Sequence, residues 1–107
     1  DLHADGKSQL TSAGAAYGLY PAPRGAVKPV GEWNRAQVLV NGNRVEHWLN
    51  GVKMADYVIK SADWNQRVAN SKFKQWPEYG QAAEGYIGVQ DHGDWVAYRN
   101  IKIRVLP

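Results

Sequence analysis

A chain of 107 residues with a formal charge of +3, from 13 basic and 10 acidic side chains, has room for one domain and no more. Its hydrophobic content of 44% argues against disorder, no stretch approaches the roughly 20 apolar residues a membrane span needs, and the absence of cysteine excludes disulfides and thiolate zinc sites. The basic residues are scattered, closest at Lys72 with Lys74 and Lys102 with Arg104. A nucleic-acid binder gathers such charge on one face, so no nucleic-acid partner is expected.

In chain order, residues 1–32 read as neither helix nor strand. Gly6, Gly14, Gly18 and Gly25 alternate with Pro21, Pro23 and Pro29, and both residue types interrupt regular structure. A loop this long inside one domain is usually functional. Two readings fit together: it lines a binding site, and it belongs to a larger domain whose partner strands lie upstream.

From Trp33 onward the pattern becomes regular. Strands are predicted over 35–40, 44–49 and 52–57, separated by Asn41-Gly42 and Asn50-Gly51. An Asn-Gly pair between strand-like runs signals a hairpin, because both central residues of a type I′ turn need positive φ. The middle strand then places Val45, His47 and Leu49 on one face and Arg44, Glu46 and Trp48 on the other. A short helix follows over 62–72, with Ser61 as N-cap, Asp63 in its first turn and Trp64 with Val68 as its apolar pair. Trp76-Pro77 forces extended backbone beyond it. Alternation over 85–90 and 95–105 predicts two more strands, joined by a tight turn at Asp91-His92-Gly93-Asp94.

That order predicts an all-β fold: an antiparallel β-sandwich or jelly roll, incomplete in this chain, with one short helix. A sheet with one buried face needs a second layer. Missing N-terminal strands of the same domain, or a second chain, would supply it.

Several chemistries lack their motifs. There is no phosphate-cradling loop ending in Lys-Ser/Thr, no His-Glu-x-x-His and no Gly-x-Ser-x-Gly. Five Trp and six Tyr stand against one Phe, so almost every large ring carries a polar handle. Such rings pack in cores, and they also stack on sugar C–H faces while bonding hydroxyls. The densest polar cluster is Gln90-Asp91-His92-Gly93-Asp94. It could orient a sugar, transfer protons or join a metal site; the plainer reading is a hairpin loop whose carboxylates bond nearby amides. His47 is a second candidate, against the alternative of a satisfied core histidine. Arg99 and Asn100 form a third polar point, with Arg99 expected to pair Asp91 or a carboxylate from outside this chain.

Four blocks resemble one family. They are Gly31-Glu32-Trp33-Asn34; Val45-Glu46-His47-Trp48-Leu49-Asn50-Gly51; Gly85-Tyr86-Ile87-Gly88-Val89-Gln90-Asp91-His92-Gly93; and Tyr98-Arg99-Asn100-Ile101-Lys102-Ile103-Arg104. In this order they resemble the 3-keto-disaccharide hydrolase domain, within the concanavalin A-like superfamily. Ser71-Lys72-Phe73 and Ala16-Tyr17-Gly18-Leu19-Tyr20 fit as well. The family domain is longer, so residues 1–107 read as its C-terminal part, with Asp1 to Asp5 finishing a loop begun upstream.

The resemblance implies cleavage of glycosides already oxidised at sugar carbon 3. The C3 ketone acidifies the C2 proton, a base removes it, and the C1 oxygen leaves by β-elimination before hydration. This needs a base, donors for the enolate and an acid for the leaving oxygen. On that reading His92 and His47 are the expected proton-transfer groups, with Asp91 orienting an imidazole and Arg99 supporting the loop or the enolate. Trp33, Trp48, Tyr20 and Trp95 are the expected sugar-stacking rings, with Asn100 and Gln90 as further substrate contacts. The expected partner is a carbohydrate. No cofactor is required; a divalent metal on Asp91, His92 and an outside carboxylate is the alternative. A lectin-like module without catalysis is the competing function. By family analogy the protein would be periplasmic or secreted.

Overall fold

The computed structural model describes residues 8–107. Positions 1–7, with Gly6 and the expected loop end at Asp1 to Asp5, lie outside the described residues. A 3-10 turn at Gln9–Thr11 is followed by β1 (Ala36–Asn41), β2 (Arg44–Leu49), β3 (Val52–Val58), α1 (Ala62–Ala69) and a second 3-10 turn at Lys72–Gln75. The strands form one antiparallel sheet in the order β1-β2-β3. A small antiparallel sheet carrying one short helix is a β-sandwich in part.

The two hairpins differ. Asn50 and Gly51 occupy the β2–β3 turn with φ of 51° and 81°, as a type I′ turn requires. In the first hairpin Asn41 pairs with Arg44, so Gly42 and Asn43 are the central residues and Asn41 ends the strand. Only Gly42 there has positive φ, at 60°. Glycine first with an ordinary residue second is the type II′ pattern, so the expected type I′ turn at Asn41-Gly42 is corrected by one residue.

β3 carries a bulge. Its register shifts between His47 and Trp48, because Trp48 pairs with Lys53 but His47 pairs with Ala55, leaving Met54 unmatched. Met54 and Ala55 are consequently both buried, breaking the two-residue alternation. Beyond the bulge Tyr57 opposes Val45 and Asp56 opposes Glu46. Without it each residue would face the other side of the sheet.

Residues 13–27 fold over the Val45 face. Ala22, Leu49 and Met54 make one core cluster, lined by Ala13, Ala15, Ala26 and Val27. Ala16, Leu19, Trp64 and Val68 make a second, with Tyr20, Tyr57, Ile59, Phe73 and Tyr79 packed around it. The loop-rich segment is therefore a covering layer, and its small residues let the backbone lie close to the sheet. Gly14 shows why: a Cβ there would sit 2.8 Å from Met54 Cβ, and its φ is +86°. Burying side chains the size of Leu49, Met54 or Val68 contributes about 1.5–3 kcal/mol each.

The helix begins as expected, with Ser61 Oγ accepting the Trp64 N–H at 3.1 Å and Trp64 and Val68 as its buried pair. It ends at Ala69, at the near edge of the end expected around 70–72, with Asn70 as its cap and Ser71 capping the Lys72–Gln75 turn.

The C-terminal expectation fails in a specific way. Residues 85–107 are exposed and without regular structure, and neither 85–90 nor 95–105 is a strand. Alternation supplies the pattern of a strand, but a strand exists only through its ladder, and no edge pairs with this segment among the described residues. Ile87, Val89, Trp95, Ile101, Ile103 and Val105 stand open as a result. Asp91 to Asp94 is accordingly a free-standing turn rather than a hairpin.

Candidate functional site

The structure divides the expected site residues among three places. On the covered face, β2 carries His47 half-buried under the loop. Its Nδ1 lies 2.9 Å from the Gly14 carbonyl, and its Nε2 lies 2.9 Å from the Tyr57 hydroxyl. A carbonyl only accepts, so Nδ1 bears the proton and, in the neutral ring, Nε2 accepts from Tyr57. Both ring nitrogens are thus occupied by the protein. The bulge makes this pairing, because it turns Tyr57 to the His47 side.

Tyr20 belongs to the same face. Its ring stacks on Tyr57 at 4.8 Å, Tyr57 continues to Trp64 at 5.4 Å, and Trp64 continues to Tyr79 at 6.1 Å. The Tyr20 hydroxyl donates to Asp63 Oδ2 at 2.6 Å. Arg67 donates to the same oxygen at 3.0 Å and to the Leu19 carbonyl at 2.8 Å, and lies 4.2 Å above the Tyr20 ring. Burial and then the Asp63 bond push the Tyr20 phenol up to about 12. Burial likewise raises Tyr57 and Tyr79. Bonds from Tyr20 and then Arg67 lower Asp63. All of these phenols are therefore neutral donors at ordinary pH.

The opposite face of the sheet is polar. Arg44 grips Asp56 with two bonds, of 3.0 and 2.7 Å, and reaches Glu46 at 3.4 Å. Lys53 holds Glu46 and Asp56 at 2.9 Å each. The Arg44 and then Lys53 bonds hold Asp56 well below the usual carboxylate range, and the Lys53 bond lowers Glu46. Trp48 stands beside this quartet, with the Lys53 ammonium 5.7 Å from its ring centre.

The third place is the open C-terminal segment. Arg99 lies 4.0 Å above the Trp33 ring, which joins two expected site residues far apart in sequence. The expected pairing of Arg99 with Asp91 is not formed; Arg99 is exposed and an aromatic face takes the place of the carboxylate. Asp91 Oδ1 accepts the Gly93 N–H at 3.0 Å, the local turn bond of an Asx motif. Gln90 gives its carbonyl to the Tyr98 hydroxyl at 2.6 Å. His92 is exposed, Trp95 is 90% exposed, and Asn100 sits at φ 56°. The structure does not bring His92 and His47 together. Among the described residues no three His, Cys, Asp or Glu side chains gather as a metal site, and no helix is long and apolar enough to cross a membrane.

Asn50 is the positioning residue that sequence reasoning missed. Its amide donates to the Ala26 carbonyl at 2.7 Å and to Asn34 Oδ1 at 2.8 Å, while its Oδ1 accepts the Arg35 N–H at 2.9 Å. It thereby fixes the segment carrying Trp33. The signal was present, since a turn asparagine at positive φ has its side chain free for neighbouring backbone. Tyr57, Asp63 and Arg67 were also passed over; Asp63 and Arg67 are legible as an i, i+4 pair.

Residues 1–104 match the family described as the 3-keto-alpha-glucoside-1,2-lyase-like domain. This chain belongs to that family. It is 36% identical over 119 aligned positions to a 3-keto-disaccharide hydrolase of Bacteroides thetaiotaomicron, with 99% of this chain aligned to 41% of the relative. The chain thus spans well under half of that protein's length. A solved structure from Parabacteroides distasonis, of a protein assigned to the glycosyl hydrolases, superposes with a TM-score of 0.63 at 36% identity. That likeness covers 71% of this chain and 34% of the other.

Proposed function

We propose that this chain is part of a carbohydrate-active domain that cleaves the glycosidic bond of 3-oxidised sugars by proton abstraction and β-elimination. The observation that carries this reading is the family match across residues 1–104. In the proposed reaction a base takes the C2 proton, the electron pair forms the C1–C2 double bond, and the C1–O bond breaks. The departing oxygen takes a proton, and addition of water across the double bond completes net hydrolysis.

The two histidines take different parts. His47 has both ring nitrogens bound within the protein, so it holds Tyr57 and the Gly14 loop in place. His92 is exposed and is the better group to move a proton to or from a substrate. Asp91 shapes the turn that presents it. Arg99 and Asn100 lie close in sequence on the segment held against Trp33, and Arg99 is the cation available to a developing enolate.

The test is release of a phenol from an aryl 3-keto-glucoside beside the unoxidised glucoside, using the intact protein. Cleavage of the ketone alone, lost in His92→Ala, is the expected result. Cleavage of neither compound, with saturable sugar binding, would overturn the reaction and leave a lectin-like module.

A further inference from the structure

The polar face of the sheet carries a groove that the proposed reaction does not use. Arg35, Gln37, Trp48 and Gly51 line it, around a volume of about 130 Å³. That is a little less than the cavity of about 150 Å³ that encloses benzene, so the open groove seats one face of a larger sugar ring and leaves the rest in solvent. Its position follows from the register. Gln37 opposes Trp48 across β1 and β2, Lys53 opposes Trp48 on the other side, and Arg35 lies two residues before Gln37. Gly51, in the adjoining turn, leaves that end without a side chain.

The chemistry of the lining selects a ligand. Trp48 offers an aromatic plane, half-buried and so held in place. The Arg35 and Gln37 side chains are exposed and make no bond among the described residues, so five guanidinium N–H donors and an amide with donor and acceptor are free. The neighbouring charges are already committed. Arg44 and Lys53 are committed to Asp56 and Glu46, so the charge left for a ligand at the groove is that of Arg35, whose N–H groups also bond neutral hydroxyls. A flat apolar platform beside free hydroxyl-matching groups suits a neutral hexose ring, whose C–H face stacks while its hydroxyls exchange hydrogen bonds.

We infer that the Arg35–Gln37–Trp48 groove is an accessory subsite for one neutral sugar ring, separate from the His92 segment. The inference rests on the carbohydrate reading above and assigns a place to a ring other than the one that reacts. It is tested by calorimetric titration of methyl α-glucoside into the intact protein and into its Trp48→Ala and Gln37→Ala forms. Each substitution is expected to weaken binding by about tenfold, the effect of losing roughly one stacking or bidentate contact. Gln37 is exposed, so its variant keeps the fold even if Trp48→Ala does not. Equal affinity in Gln37→Ala and the parent, or no saturable binding by the parent, overturns the subsite. Glucuronate binding at least about tenfold tighter than the glucoside, lost in Arg35→Ala, overturns the neutral ligand class. The two readings fail separately: glucoside binding that depends on Gln37 without cleavage of any 3-keto-glycoside sinks only the reaction. Cleavage with affinities indifferent to Gln37 and Trp48 sinks only the subsite.

Discussion

The guanidinium of Arg99 lies 4.0 Å above the ring of Trp33, and this contact ties the exposed C-terminal segment to the loop before β1. Trp33 is itself in a fixed place because Asn50 bonds both Asn34 and the Arg35 backbone. The contact at Arg99 is therefore a stack rather than part of a strand ladder.

Replacing Arg99 by Ala should change unfolding free energy by less than about 1 kcal/mol, the worth of an exposed cation–π pair. Turnover of a 3-keto-glycoside should fall much further, because the segment loses its tether. Lys at this position keeps the charge but not the planar stack and should recover only part of the rate. Urea unfolding and phenol release on the same samples check this; a large stability loss at unchanged rate would make the stack purely structural.

Asn50 offers a cleaner test of positioning. Asn50→Gly keeps the φ of 51° accessible but removes three side-chain hydrogen bonds. The expected loss is roughly 1–3 kcal/mol, at a net 0.5–1.5 kcal/mol for each bond and with some relief of turn strain. Asn50→Ala should be worse than Asn50→Gly, because it combines the lost bonds with left-handed backbone strain. Chemical denaturation of the pair decides whether the amide or the turn matters more.

The two histidines should separate stability from activity. His47→Ala leaves the Gly14 carbonyl and Tyr57 hydroxyl without their partner and should cost roughly 2–3 kcal/mol, while Tyr57→Phe should cost about 1 kcal/mol. His92→Ala should leave the unfolding midpoint in place and lower kcat by about 10²-fold or more. If His92→Ala is instead the destabilising change, the division of roles is reversed.

Alkaline pH should loosen the aromatic layer. The folded Tyr20 phenol is raised from 10.0 to about 12, so the unfolded chain loses that proton first. Its contribution is fully present below pH 10 and is lost as pH rises through about 12. Tyr20→Phe should remove that share of the alkaline decline. Thermal melts across this range, alongside tyrosinate absorbance, would show whether Tyr20 is the group responsible.

Much of the sheet was legible because short-range chemistry wrote it. Asn50-Gly51 set the second hairpin, alternation in 44–49 set its faces, and Ser61, Trp64 and Val68 marked the helix. The same alternation misled over 85–90 and 95–105, since pairing depends on a neighbouring edge that a local pattern cannot supply. The abundance of rings with a polar handle was plain from composition, but which of them stack on one another was not. His47 and Trp48 were identified as candidates on opposite faces of one strand, while the partners that each one meets were hidden.

The sequence by itself determined the antiparallel β character, the middle strand's two faces, the helix cap and the family to which the chain belongs. Only the tertiary structure decided that Met54 is the extra residue in β3. That one insertion turns Tyr57 toward His47 and Asp56 toward Arg44 and Lys53, because a shift of one residue exchanges the two faces of a strand. A bulge is chosen by packing, here by room for both Met54 and Ala55 beneath the covering loop, and long-range packing leaves no mark in the local pattern.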